Sequence, residues 1–261
     1  MLEIKNSVAV ITGGSGGIGM ALARKWLDHG GRAVIADIDA KALQYAKDRL
    51  GKEVETFVCD ITREDDCVSL AAFAIEKMGQ INLVAPFAGI IKDAMLVSPD
   101  RETGKVTKKM SLDDFQKVID INLTGVFLTV RSCAEEMINH GCRGLICLAS
   151  SSGSLGNAGQ INYSSTKAAM SVMPKVITAE FFRRGLADKI RCVAVAPGLV
   201  STPMVRDMNQ KAMDKILAQV PIGRLIEPEE VATLVCDLYR NEALAGETFF
   251  IHGGLRLGSR G

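Results

Sequence analysis

Short, predominantly apolar runs alternate almost end to end with longer stretches in which apolar residues recur every three or four positions. The runs fall at 8–12, 33–36, 54–58, 83–85, 145–149, 191–196 and 248–251. Continuous runs of this length predict strands buried on both faces rather than on one. Helical spacing covers about 17–29, 40–50, 63–78, 112–140, 162–184 and 228–239. Strands that alternate with helices imply βαβ units, right-handed crossovers, and a doubly wound parallel sheet of about seven strands covered on both faces. No internal repeat or Pro/Ser-rich linker interrupts the pattern, so residues 1–261 are expected to form one domain.

Two segments depart from it. Residues 97–110 are polar and turn-rich around Gly104, which predicts a surface hairpin or loop inserted after the fourth strand. Pro174 falls inside the helix that begins near Tyr163; it has no N–H to donate, so a kink or widened turn is expected there.

Composition narrows the field of functions. At 261 residues, with 48% apolar side chains, the chain is long enough for a sizeable core. A formal net charge of +1 with dispersed Lys and Arg points to neither nucleic acid nor an anionic membrane as a partner. No apolar stretch reaches the ~18 residues of a membrane span. The N-terminus runs directly into a strand and does not resemble a secretory signal. Seven singly scattered Cys, without a C-x-x-C pair, read as reduced core thiols of a cytoplasmic protein. Cys147 and Cys192 lie within apolar runs as small hydrophobes. None of the three His has ligand-like spacing, so no metal site is expected.

Candidate chemistry begins at the first strand–helix junction. Gly13-Gly-Ser15-Gly16-Gly17-Ile18-Gly19 follows one apolar run and opens a helix. Glycines let the backbone turn sharply and approach a pyrophosphate, which can sit against the free N–H groups of the helix N-terminus. Strand, loop and helix come in the order that a Rossmann-type dinucleotide site requires. The second run ends at Asp37, eighteen residues past Gly19, where a carboxylate can accept from the adenosine ribose and repel a 2′-phosphate. Ile38 follows instead of a cation, so NAD(H) is expected over NADP(H). Asp39 reads as a helix N-cap. Asp60, followed by Ile61, ends the third run at the same edge of the sheet and either reaches the adenine amine or caps the next helix.

The second constellation is Tyr163-x-x-x-Lys167. Residues four apart share a helix face, and an ammonium near a phenol favours the phenolate over its ordinary titration near ~10. Ser150 lies thirteen residues upstream of Tyr163, and Asn122 stands in Asn-Leu-Thr-Gly.

Together these motifs resemble the classical short-chain dehydrogenase/reductase family over nearly the whole chain. The glycine loop, Asp60, Asn122, Ser150, Tyr163 and Lys167 match its signatures in order, and Pro197-Gly198 with Val200 and Thr202 resembles the segment that flanks the nicotinamide. The resemblance implies that Tyr163 exchanges a proton with the substrate oxygen and Ser150 orients that oxygen. It further implies that Lys167 lowers the Tyr163 pKa and holds the nicotinamide ribose, and that Asn122 fixes Lys167 through a water. Where the family often carries Asn-Asn-Ala-Gly, this chain has Pro86-Phe87-Ala88-Gly89.

A substrate lid is expected near 199–222, where Met-rich apolar spacing suits a nonpolar or acyl substrate or simply the buried stripe of a short helix. Residues 221–231 and 156–163 resemble the 3-oxoacyl-(acyl carrier protein) reductase branch. Asp37 runs against that branch's usual NADPH preference, and Glu180 against docking of an acidic carrier. The reading is therefore an NAD(H)-dependent oxidoreductase that interconverts a secondary alcohol and a ketone, on a small-molecule carbonyl or alcohol substrate. A 3-oxoacyl-thioester reductase is the alternative, and a catalytically lapsed nucleotide-binding regulatory protein the rival of another class. The family's habit implies a homotetramer (or homodimer) through the two long helices.

Overall fold

The computed structural model describes residues 1–202, 214, 217–218 and 220–255. The expected 199–222 lid falls mainly outside the described residues.

Seven strands form one parallel sheet: β1 (Val8–Thr12), β2 (Arg32–Asp37), β3 (Val54–Val58), β4 (Leu83–Pro86), β7 (Gly144–Ala149), β8 (Ile190–Pro197) and β9 (Thr248–Ile251). Their spatial order is β3-β2-β1-β4-β7-β8-β9, so the winding reverses between β1 and β4. That reversal opens a crevice at the carboxyl ends of the strands, where open α/β sheets bind ligands.

The core is two layers with the sheet between them, and strand alternation sorts the side chains. Ala9, Ile11, Ala33, Ile35, Leu145, Cys147, Val193 and Val195 face α1 (Gly17–Asp28), α2 (Ala40–Leu50) and the helix at Pro228–Arg240. Val8, Val10, Val34, Ile146, Leu148, Cys192 and Ala194 face α3 (Glu64–Met78), α5 (Val126–Asn139) and α6 (Ile161–Arg183). Because both faces are covered, the strands need no polar alternation, which is why they read as continuous apolar runs. The Pro228–Arg240 helix, the last among the described residues, is called α7. Its C-terminal end is closed by Arg191, 6% exposed, which donates to the carbonyls of Leu238, Tyr239, Asn241 and Leu244 at 2.7–3.1 Å. All seven Cys are free and buried. Among the described residues no helix is long and apolar enough to cross a membrane.

Two expectations are corrected. The helix predicted over 112–140 is interrupted: α4 (Leu112–Ile119) passes into a wide π turn, Asp120–Gly125, before α5 begins. At Gly125 a Cβ would stand 2.7 Å from Ile61 Cγ1, so the backbone comes too close to β3's exit for any larger residue. Conversely, α6 runs through Pro174 as one 23-residue α-helix without a widened turn. Pro174 is buried there, and packing against β7, β8 and the Asp120–Gly125 turn outweighs one missing backbone bond.

The 97–110 insertion is a hairpin, β5 (Val97–Pro99) antiparallel to β6 (Val106–Lys109), standing clear of the main sheet. Pro86 is tolerated in a central strand because the β4–β7 ladder covers only Leu83 and Val84. Phe87 N–H then donates to Thr12 O at 3.1 Å and resumes the β1 side.

Candidate active site

At the switch point a cleft of about 290 Å³ runs along the glycine loop. Gly13, Ser15 and Gly16 form one wall, Asp37, Ile38, Asp60 and Ile61 one end, and Ala88 and Gly89 the other. The glycines are required by contact. Gly13 has φ +66°, and a Cβ there would meet Ala88 N at 2.7 Å; a Cβ on Gly19 would meet Gly13 O at 2.3 Å. Gly17, Ile18 and Gly19 belong to the first turn of α1, below the cleft.

The carboxylates at its end are arranged by short local bonds. Asp37 Oδ2 accepts from Ser15 Oγ at 2.5 Å, and Oδ1 from Ile38 N at 2.8 Å. Asp39, not Asp37, caps α2, accepting from Lys41 N and Ala42 N. Asp60 Oδ1 accepts from Thr62 N and Oγ1, and the N-cap of α3 is Arg63, so Asp60 is not a helix cap. Pro197 pairs with Ile251 in register, Gly198 N–H donates to Ile251 O, and Val200 bridges to Ile226. Thr202 follows them, donating its N–H to Val200 O at 2.8 Å.

The second half of the site is built around α6. Lys167, 6% exposed, donates from Nζ to Ala149 O at 2.8 Å, and Nζ lies 5.6 Å from the Tyr163 ring centroid. Burial holds its ammonium down at about 8. Tyr163 departs from expectation. Burial pushes its hydroxyl above the ordinary value, a hydrogen bond with Ser151 pulls it back, and the Asp93 carboxylate pushes it up again. The Lys167 ammonium donates to the Ala149 carbonyl rather than to the Tyr163 hydroxyl. Ser150, which the thirteen-residue spacing selects, donates to Lys167 O at 2.8 Å and pairs with Ser171 Oγ at 2.7 Å. Asn122 is fully buried in the π turn, where it accepts from Ile90 N and donates to Ile90 O, both at 2.8 Å.

A seam then ties the exit of β4 to the base of α6. Asn162, fully buried, donates to Lys92 O at 2.9 Å; Gln160 donates to Asp93 Oδ2 at 2.9 Å; Ala94 N–H donates to Gly159 O at 2.9 Å. With Asn122 on Ile90, the stretch 90–94 is fastened at almost every residue. Sequence reasoning passed over Asn162, Gln160, Ser151 and Ser171, and the cleft residues Cys59, Phe87, Ile90 and Ile121. The signal was partial: Asn162 and Ser151 adjoin residues already singled out, whereas the partner of Ser150 lies a helix turn beyond Lys167.

The family model for short chain dehydrogenase matches residues 7–213. The chain belongs to the short-chain dehydrogenase family. It is 31% identical over 259 residues to the 3-oxoacyl-[acyl-carrier-protein] reductase FabG of Thermotoga maritima, covering 97% of this chain and 99% of that protein. It is 32% identical over 268 residues to the human (3R)-3-hydroxyacyl-CoA dehydrogenase, covering 97% of each. The crystal structure of a short-chain dehydrogenase/reductase (SDR:Glucose/ribitol dehydrogenase) from Brucella melitensis superposes with a TM-score of 0.85 at 29% identity, over 97% of this chain and 98% of that one. Short-chain dehydrogenases are oxidoreductases that act on CH–OH groups with a nicotinamide dinucleotide, and the cleft's glycine cradle and the carboxylates at its end fit such a group.

Proposed function

We propose that this short-chain dehydrogenase uses NAD(H) and interconverts the 3-hydroxy and 3-oxo forms of an acyl thioester. The carrying observation is the joining of two halves: a glycine-lined cleft ending in Asp37, stitched through residues 90–94 to the helix that bears Tyr163 and Lys167. The names of the relatives supply the substrate class.

Gly13, Ser15 and Gly16 would hold the pyrophosphate, Asp37 the adenosine ribose and Asp60 the adenine side, with Pro197, Gly198 and Thr202 flanking the nicotinamide. When bound, the dinucleotide supplies or accepts the hydride. Tyr163 then manages the proton. Its raised pKa keeps the hydroxyl protonated at neutral pH, the form that donates to a ketone oxygen during reduction. Lys167, buried and titrating near 8, replenishes that proton and holds the ribose beside it. Ser150 reaches the substrate oxygen by a rotation about its Cα–Cβ bond that exchanges Ser171 for substrate. Asn122 fixes the Ile90 backbone and so holds the cleft wall against α6.

Glu180 lies on the flank of the groove between α5 and α6, a volume of about 690 Å³ bordered by Phe127, Ile138, Val172 and Val176, each more than 40% exposed. We assign that apolar groove to a second copy of the chain in a homotetramer, checked by sedimentation. The activity is tested by reduction of acetoacetyl-CoA with NADH and with NADPH. Turnover with NADH as the better donor supports the proposal; turnover of simple ketones but no thioester would overturn its substrate class.

A further inference from the structure

The β5–β6 hairpin serves no purpose in the chemistry above, yet it grows directly from the seam at the active site. Residues 90–94, fastened to Asn122, Asn162, Gln160 and Gly159, lead into it, and Met110 N–H donates to Leu96 O where it closes. Its base therefore lies beside Tyr163, whose hydroxyl feels the Asp93 charge.

Its surface is amphiphilic in a particular way. Val97 pairs with Lys109 and Pro99 with Val106, so these four side chains share one face. Val97 and Val106 are 49% and 57% exposed, and Met95 and Leu96 extend the apolar strip toward the seam at 54% and 62%. Lys109 shares that face, Lys108 pairs with Ser98 on the other, and Lys92, Arg101 and Lys105 lie in the same segment, all five exposed and none in an ion pair among the described residues. Two of the nearby anions are engaged: Asp93 accepts from Gln160, and Asp100 accepts from Glu102 N, Thr103 N and Thr103 Oγ1 inside the turn. The five cations are left facing solvent on a hairpin that also exposes apolar side chains.

We propose that this hairpin is the docking surface for the phosphorylated arm of a coenzyme A thioester, the apolar strip receiving the pantetheine and the lysines its phosphates. The proposal rests on the acyl-thioester reading above. Coenzyme A fits better than an acidic carrier protein, because Glu102 stands exposed among the cations. A flexible phosphate chain passes beside it, whereas a broad acidic face would meet it directly.

The test uses the full-length protein saturated with NADH and the combined Lys105→Glu, Lys108→Glu, Lys109→Glu variant, with circular dichroism to establish that it folds. Equilibrium dialysis with coenzyme A should show affinity weakened about tenfold in the variant, and weakened in the wild type by rising salt. The ratio of kcat/KM for acetoacetyl-CoA to that for its N-acetylcysteamine thioester should fall by a similar factor. No coenzyme A binding by the wild type, or equal binding by both proteins, would overturn the docking surface. So would loss of binding only to acyl carrier protein or to anionic phosphatidylglycerol vesicles. If coenzyme A binding falls as expected but neither thioester is reduced, the docking surface stands and the proposed substrate reaction fails.

Discussion

Lys167→Met exposes a conflict between stability and function that the structure makes quantitative. The wild-type ammonium is buried, and burial brings it from its ordinary 10.5 down to about 8. That difference corresponds to about 3 kcal/mol of desolvation disfavouring the charged form. The sign follows from proton linkage. Between about pH 8 and pH 10.5 the unfolded chain holds the Lys167 proton and the folded chain has released it, so wild-type stability rises with pH across that window. Below pH 8 both states are protonated and the full penalty applies. Methionine fills the same channel without a charge and gives up one hydrogen bond to Ala149 O, worth about 1 kcal/mol. At pH 7 the variant should therefore be about 2 kcal/mol more stable than the wild type, with the gap closing by pH 10 and turnover lost throughout. Urea unfolding followed by circular dichroism at several pH values measures it. A variant less stable at pH 7, or one whose stability runs parallel to the wild type from pH 7 to 10, would refute the claim that Lys167 is held against a desolvation penalty.

Other consequences are simpler. Arg191→Met removes the donor from four backbone carbonyls at the end of α7 and should destabilise the fold by about 3–5 kcal/mol in thermal or urea melts, without altering cofactor preference. Asp37→Ala frees Ser15 Oγ and removes the repulsion of a 2′-phosphate; the NADH-to-NADPH ratio of kcat/KM should narrow by about tenfold, and an unchanged ratio would remove Asp37 as the selector. Gly19→Ala places a methyl against the Gly13 carbonyl and should weaken NADH binding by at least about tenfold in a fluorescence titration.

How much of this was legible in the sequence differs by element. The strands were, because a sheet covered on both faces demands apolar residues through its central strands; β1, β3 and β9 have the bounds their runs predicted, and β2, β7 and β8 differ by a residue or so at their ends. The glycine loop and Asp37 were legible because their spacing follows from one strand–turn–helix unit. The π turn was not, because Asp120–Gly125 contains nothing that forbids an α-helix; the interruption comes from the approach to Ile61 and the hold of Asn122 on Ile90, both long-range. The widened turn expected at Pro174 is absent for the converse reason, a local defect that tertiary packing absorbs. The direction of the Ser150 hydroxyl was equally hidden: the position follows from spacing, but which neighbour it bonds depends on Ser171, twenty-one residues away.

The central claim is that Tyr163 carries the proton that accompanies hydride transfer, on a cofactor site built separately from it. Tyr163→Phe tests it most directly, with NADH binding followed by fluorescence and acetoacetyl-thioester reduction followed by loss of NADH absorbance. The expected result is a fall in kcat of at least about 10²-fold with NADH affinity within a few-fold of wild type. Turnover near the wild-type rate would contradict it.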